Sequence, residues 1–222
     1  MQKIGNWWAP DNTIVSSKMI GEETFTCLPP LEKAYAYVKK FDRAIDIGTW
    51  IGDSTFSIAK QFNTVIGFEA NKDVYECCLE NLKDRKVKNV DLRNIGLSNT
   101  AGSKTFYNGK SHFSGWISDK QPDTTEIITN TLTIQTVPLD KFNFIDIDFI
   151  KIDVDSHEGF LLQGATTFFK NNSPVVLIEN KQRVHLGRQP QNMPNVNDLL
   201  NSLGYTMIEK VAKADFIYIK NT

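Results

Sequence analysis

Apolar and polar positions along this chain switch between two periods. Short continuous apolar runs read as buried strands, and runs with apolar residues three and four apart read as helices. Residues 43–47 form one such strand, and Val65, Ile66 and Phe68 mark a second that ends in Glu69. Leu31, Ala34, Tyr35 and Val38 predict a helix over 31–40. Phe56, Ile58, Ala59 and Phe62 predict another over 54–61. Asn71 reads as the N-cap of a helix reaching Lys83, with Val74, Cys78 and Leu82 on one face. Further strands are expected at 90–94, 149–154 and 175–179, with a helix over 159–169 between the last two. Residues 204–210 and 216–220 flank a short turn and read as a closing hairpin.

This alternation predicts an α/β fold with a mostly parallel sheet and helices on both faces. The hairpin adds an antiparallel C-terminal edge strand. Residues 1–30 read as an irregular N-terminal extension, punctuated by Trp7-Trp8-Ala9-Pro10 and Pro29-Pro30. The body then runs over 31–222. Residues 98–137 break its rhythm with Ser, Thr, Asn and Gly clusters and only short candidate strands at 105–107 and 132–137. They read as a loop insertion, placed to act as a lid at the ligand rim.

The turn after the first strand carries chemistry. Asp46-Ile47-Gly48-Thr49-Trp50-Ile51-Gly52 spells D-x-G-x-x-x-G, and Glu69 follows Asp46 by 69 − 46 = 23 residues. That interval is close to the ~20 expected when an acid at the second strand reaches a ribose hydroxyl. The turn lacks the third glycine of a dinucleotide fingerprint, and an acidic lip repels pyrophosphate. It suits a cationic ligand, and S-adenosylmethionine carries an amino group and a sulfonium. Gly48 would admit the ligand close to the backbone, and Gly52 would let the helix start close to the strand.

Composition narrows the class. The 222 residues hold 25 lysines and arginines against 26 acids, so there is no basic excess to hold a nucleic-acid backbone. No apolar stretch is long enough to span a membrane, and the N-terminus lacks the apolar region of a signal peptide. Cys27, Cys77 and Cys78 are too few and too badly spaced for a disulfide framework or a zinc knuckle. A cytoplasmic, reduced protein is expected, of undetermined oligomeric state.

A second polar cluster, Lys151-Ile152-Asp153-Val154-Asp155-Ser156-His157-Glu158-Gly159, ends another buried strand. Acids at strand ends thus recur at Asp46, Glu69, Asp153 and Glu179. Ligands bind outside the carboxyl ends of parallel strands, and burying four unpaired carboxylates for packing alone is costly.

Asp46-Ile-Gly48, Phe68-Glu69-Ala70-Asn71, 94–98, Leu139-Asp140, 149–154, Gly164-Ala165 and 176–179 resemble, in order, the successive blocks of FkbM-type methyltransferases. The resemblance spans roughly residues 41 to 182. It implies a class I S-adenosylmethionine-dependent methyltransferase with a Rossmann-like, doubly wound, seven-stranded sheet. Members commonly methylate hydroxyl groups of sugars and natural products, so the expected partner is a glycan or small-molecule substrate. One departure is visible. The family usually follows the fourth-strand Asp-Val with Glu-Gly, where this chain has Asp155-Ser156.

By position, the resemblance implies that Asp46, Gly48, Thr49 and Gly52 surround the methionine part of the cofactor. It likewise assigns Glu69 to the ribose, Ala70 to the adenine, Asn94 to the adenine side and Asp153 to the neighbourhood of the transferred methyl. Asp153, His157 and Glu179 are the candidate proton acceptors. Asp153, Asp155, His157 and Glu158 also suit a hard cation, although adjacent acids in loops are usually just solvated and no metal is assigned. His185, and the aromatic groups Trp7, Trp8, His112, Phe113 and Trp116, read either as substrate contacts or as ordinary packing. Two other functions compete: nucleic-acid methylation, and cofactor binding without methyl transfer. The fourth strand lacks the Asp/Asn-Pro-Pro-aromatic motif of the former. The latter leaves the rim acids without a purpose.

Overall fold

The computed structural model describes residues 1–11, 28–109, 115–117, 128–180 and 193–221. The chain begins with β1 (Gln2–Ile4) and β2 (Trp7–Ala9), followed by α1 (Leu28–Tyr35), β3 (Arg43–Ile47) and α2 (Asp53–Ala59). Then come β4 (Thr64–Phe68), α3 (Lys72–Asp84), β5 (Val90–Arg93), β6 (Gly96–Leu97), β7 (Gly102–Gly109), β8 (Gly115–Ile117) and β9 (Ile128–Val137). A 3-10 turn at Leu139–Phe142 leads to β10 (Phe149–Ile152), α4 (Glu158–Gln163), α5 (Thr166–Asn171) and β11 (Val175–Glu179). The described chain closes with α6 (Val196–Ser202), β12 (Tyr205–Lys210) and β13 (Asp215–Lys220).

Seven strands form one sheet in the order β12-β13-β11-β10-β3-β4-β5. Strands β11, β10, β3, β4 and β5 pair in parallel, whereas β13 is antiparallel to both β11 and β12. The antiparallel strand is therefore second from the edge, not the edge strand expected from the hairpin. Apolarity explains the order. Ile217 and Tyr218 of β13 are buried, while Met207 and Ile208 of β12 are exposed.

Side chains alternate across this sheet because the strand period is two. On one face Ala44, Val65, Phe149, Val175 and Leu177 meet Leu31 and Ala34 of α1 and Ile58 of α2. On the other, Ile45, Ile66, Ile150 and Val176 meet Leu161 of α4, Phe168 and Phe169 of α5, and Leu200 of α6.

Several elements differ from the sequence expectation. Helix α1 starts at Leu28 and contains Pro29 and Pro30, which the first turn tolerates because its amides need no partner there. The helix expected over 159–169 is two short helices. At the break, a Cβ on Gly164 would lie 2.1 Å from the carbonyl oxygen of Ser98. The described parts of residues 98–137 are not irregular: β7, β8 and β9 join β6 in a separate four-stranded sheet. The N-terminal residues are a hairpin turning at Gly5. This hairpin packs on α3, where Asn81 bonds both the N–H and the C=O of Trp8 and the Arg85 guanidinium lies 3.4 Å over the Trp7 ring.

Candidate active site

The turn after β3 is closed by main-chain bonds. Gly48 and Thr49 N–H both donate to the Phe68 carbonyl at the end of β4, at 2.9 and 3.2 Å. Gly48 has φ +79°, and a Cβ there would lie 1.8 Å from the carbonyl oxygen of Asp153. Asp153 N–H in turn donates to Ile47 O at 2.9 Å. Gly52, at φ +96°, stands at the N-cap of α2, and a Cβ would meet Cys78 Sγ at 2.8 Å. Both glycines are thus demanded by close approach as well as by backbone conformation.

Asp46 is completely buried. Its Oδ2 accepts from Ser54 Oγ at 2.8 Å and Thr55 Oγ1 at 2.7 Å, both on α2. Register places Lys151 beside it, with Nζ 3.7 Å from Oδ1. Burial raises its carboxyl above the usual range, while Lys151 and the two hydroxyls pull it down. Asp46 therefore ties β3, α2 and β10 together beneath the turn. The same ammonium lies 3.5 Å from Asp153 Oδ2, and the Asp153 side chain is 36% exposed.

Glu69 is also buried, and its two oxygens are held by main-chain amides. Oε2 accepts from Trp50 N at 3.0 Å and Oε1 from Asn71 N at 2.9 Å. Burial pushes its pKa to about 7 against these bonds. An ionised carboxylate has about four acceptor sites, so capacity for further donors remains. Asn94 Nδ2 donates to the carbonyls of Glu69 at 2.9 Å and Ala70 at 3.3 Å, fixing the chain after β4.

Beyond β10 the backbone enters two successive left-handed residues, Asp155 at φ +47° and Ser156 at φ +75°. Ser156 stands where the resembling family usually has glycine, and its buried Oγ has no hydrogen-bond partner among the described residues. Glu158 clamps this turn, its Oε1 accepting from Val154 N at 3.3 Å and Ser156 N at 3.2 Å. Burial is the main cause that raises its pKa to about 8.

The four acids are not equivalent at the rim. Asp153 and Glu179 are half-buried, whereas Asp46 and Glu69 are enclosed. His157 is 3% exposed, with Nε2 3.0 Å from Ser98 Oγ and its ring against Phe160. Its ring is therefore enclosed, not a surface group in a polar loop. Trp116 is likewise enclosed, stacked on Tyr107 at 6.1 Å, so it offers no stacking face to a substrate. His112, Phe113 and His185 lie outside the described residues. Among the described residues, no group of three or more His, Cys, Asp or Glu side chains is arranged to hold a metal. No described helix is long and apolar enough to cross a membrane. Sequence reading named Lys151 in the second polar cluster and Asn71 as a helix N-cap, but gave neither a role in the site.

These residues fit S-adenosylmethionine. A buried carboxylate with spare acceptor capacity suits a vicinal diol, and the turn at Gly48 carries no side chain where the backbone would approach a ligand.

Comparison with known proteins identifies the family and agrees with the cofactor. The family model described as the methyltransferase FkbM domain matches residues 46–207. A crystal structure of methyltransferase FkbM from Methylobacillus flagellatus KT superposes with a TM-score of 0.53 at 16% identity, covering 80% of this chain. The present chain spans only 43% of that one. A SAM-dependent methyltransferase from Aquifex aeolicus superposes with a TM-score of 0.51 at 14% identity, over 91% of this chain and 96% of the other. The 16S rRNA N2 G1207 methyltransferase of T. thermophilus, solved with AdoMet and guanosine, gives 0.50 at 12% identity, over 91% and 44%. No curated protein matches the sequence.

Proposed function

Because the chain belongs to the FkbM methyltransferase domain family, whose cofactor is S-adenosylmethionine, we propose that it methylates a hydroxyl group of a sugar, glycan or other small molecule. When bound, S-adenosylmethionine supplies a methyl carbon activated by its sulfonium. Helices on both faces of the sheet and acids at its carboxyl rim support reading it as Rossmann-like and doubly wound.

In this reading Glu69 accepts the ribose hydroxyls. The Gly48–Thr49 turn and Gly52 border the methionine part, with Asp46 holding that turn from below. Ala70 lies beside the adenine, and Asn94 secures the segment that carries it. The protein's remaining task is to align the acceptor and take its proton. Asp153 is the proposed base. The carrying observation is its half-exposed carboxylate, 3.5 Å from Lys151, on a residue whose main-chain carbonyl abuts the Gly48 turn. The neighbouring ammonium holds that carboxylate by charge. Glu179, at the end of the adjacent strand, is the alternative base. His157 is assigned a positioning role instead, because its ring is enclosed against Ser98 and Phe160.

The near balance of charge, 25 against 26, supports a small acceptor over a nucleic acid. Buried free thiols at Cys77 and Cys78, both shifted upward by burial, suit a reducing cytoplasm. The test is methyl transfer from labelled S-adenosylmethionine to a panel of glycans, nucleotide sugars, small alcohols and structured RNA. Label on a hydroxyl compound, lost in Asp153→Asn, is the expected result. Label on RNA alone overturns the acceptor assignment.

A further inference from the structure

Asn108 lies in β7, on the second sheet and apart from the rim acids. Its carboxamide is buried, as is that of Asn71, and Asn71 Nδ2 donates to Asn108 Oδ1 at 2.9 Å. The rest of Asn71 is committed elsewhere. Its Oδ1 accepts from Asp73 N at 3.0 Å, capping α3, and its main-chain N–H donates to Glu69 Oε1. With Oδ1 turned toward α3, Nδ2 has one direction left and needs an acceptor there. A buried donor left without one costs about 1–3 kcal/mol.

Pairing between β7 and β9 is irregular at this point. Asn108 faces Asn130 and Gly109 faces Ile128, so Thr129 of β9 is the extra residue, and its Oγ1 donates to the Asn108 carbonyl of β7 at 3.3 Å. The alternation of the strand also stops there, since Tyr107, Asn108 and Gly109 are all buried. The bulged Thr129 thus lies opposite the segment of β7 where Asn108 meets the N-cap of α3.

We propose that Asn108 is a positioning residue for the ribose of the cofactor, acting through Asn71 on the carboxylate of Glu69. The proposal rests on Glu69 receiving the ribose hydroxyls. It makes the second sheet part of the cofactor site, because Asn108 on β7 sets where Asn71, and so Glu69, can stand.

Calorimetry with 5′-methylthioadenosine and its 2′-deoxy form tests this on the wild type, Glu69→Gln, Asn108→Leu, Asn71→Ser and Asn108→Asp. The wild type should prefer the ribose form. That preference should fall about tenfold in Asn108→Leu and Asn71→Ser, with affinity for the deoxy form unchanged. Asn108→Asp, which keeps an acceptor for Asn71, should restore it. A merely structural role would weaken both nucleosides together. Asn108→Leu and Asn71→Ser break the same bond from opposite sides, so either variant that folds decides. A wild-type preference in these variants, or equal loss of both nucleosides, overturns the proposal if Glu69→Gln has lost the preference. A preference retained in Glu69→Gln removes the ribose assignment itself.

Discussion

Gly48 and Asp153 are built as a single contact: the space a Gly48 Cβ would fill lies 1.8 Å from the Asp153 carbonyl oxygen. The turn proposed to border the cofactor and the proposed base thus share one backbone junction. Gly48→Ala combines a left-handed alanine with a steric clash, and the two penalties together reach about 3 kcal/mol or more. Denaturant unfolding of both proteins measures the loss, and a variant of unchanged stability would show that the junction can relax.

Ser156→Gly should act in the opposite direction. It relieves a residue at φ +75° and removes a buried hydroxyl that has no partner among the described residues. The expected gain is about 1 kcal/mol, because the left-handed penalty exceeds the extra chain entropy of glycine. Thermal unfolding checks it, and a lowered midpoint would contradict the strain assigned to this turn.

Boundaries in the sequence were most legible where strands are apolar throughout. Residues 43–47 and 175–179 match β3 and β11 because a continuous buried run has sharp polar ends. The second sheet was hidden for the opposite reason. Strand β9 carries Thr, Asn and Gln along a largely exposed face, so its alternation lacks apolar contrast. In the site, Asp46, Glu69 and Asp153 were visible as acids at strand ends. Their unequal burial was not, because it depends on Ser54 and Thr55 reaching Asp46 and on two main-chain amides reaching Glu69. Helix α6 escaped notice, being one short helix of seven residues with Val196 and Leu200 as its buried anchors.

Stability of the free protein should decline as pH rises. Glu69 and Glu158 are raised in the folded state to about 7 and about 8, above the ~4.3 of an unfolded glutamate. The folded chain then binds more protons than the unfolded one between those limits, so unfolding free energy falls with pH in that window. Glu158→Gln keeps an oxygen for Val154 and Ser156 and should flatten the upper part of the curve. An equally steep decline in Glu158→Gln would remove Glu158 as its source.

Ribose hydroxyls donating to Glu69 favour its ionised form, so cofactor binding should release a proton below pH ~7 and tighten as pH approaches that value. Calorimetry in buffers of different ionisation enthalpy reads the proton count directly. Proton uptake on binding would reverse the sign required here.

Asp153→Asn should reduce turnover by about a hundredfold or more, the range for loss of a general base, while cofactor affinity stays near that of the wild type. Full turnover in Asp153→Asn together with loss in Glu179→Gln would transfer the role to Glu179.

The account stands most directly on a titration of S-adenosylmethionine into the wild-type protein, Asp46→Ala and Glu69→Ala, each checked for folding by circular dichroism. Saturable binding by the wild type, abolished in folded Glu69→Ala and impaired in Asp46→Ala, is the predicted result. Binding of undiminished affinity in both variants would contradict the placement of the cofactor at the carboxyl ends of β3 and β4.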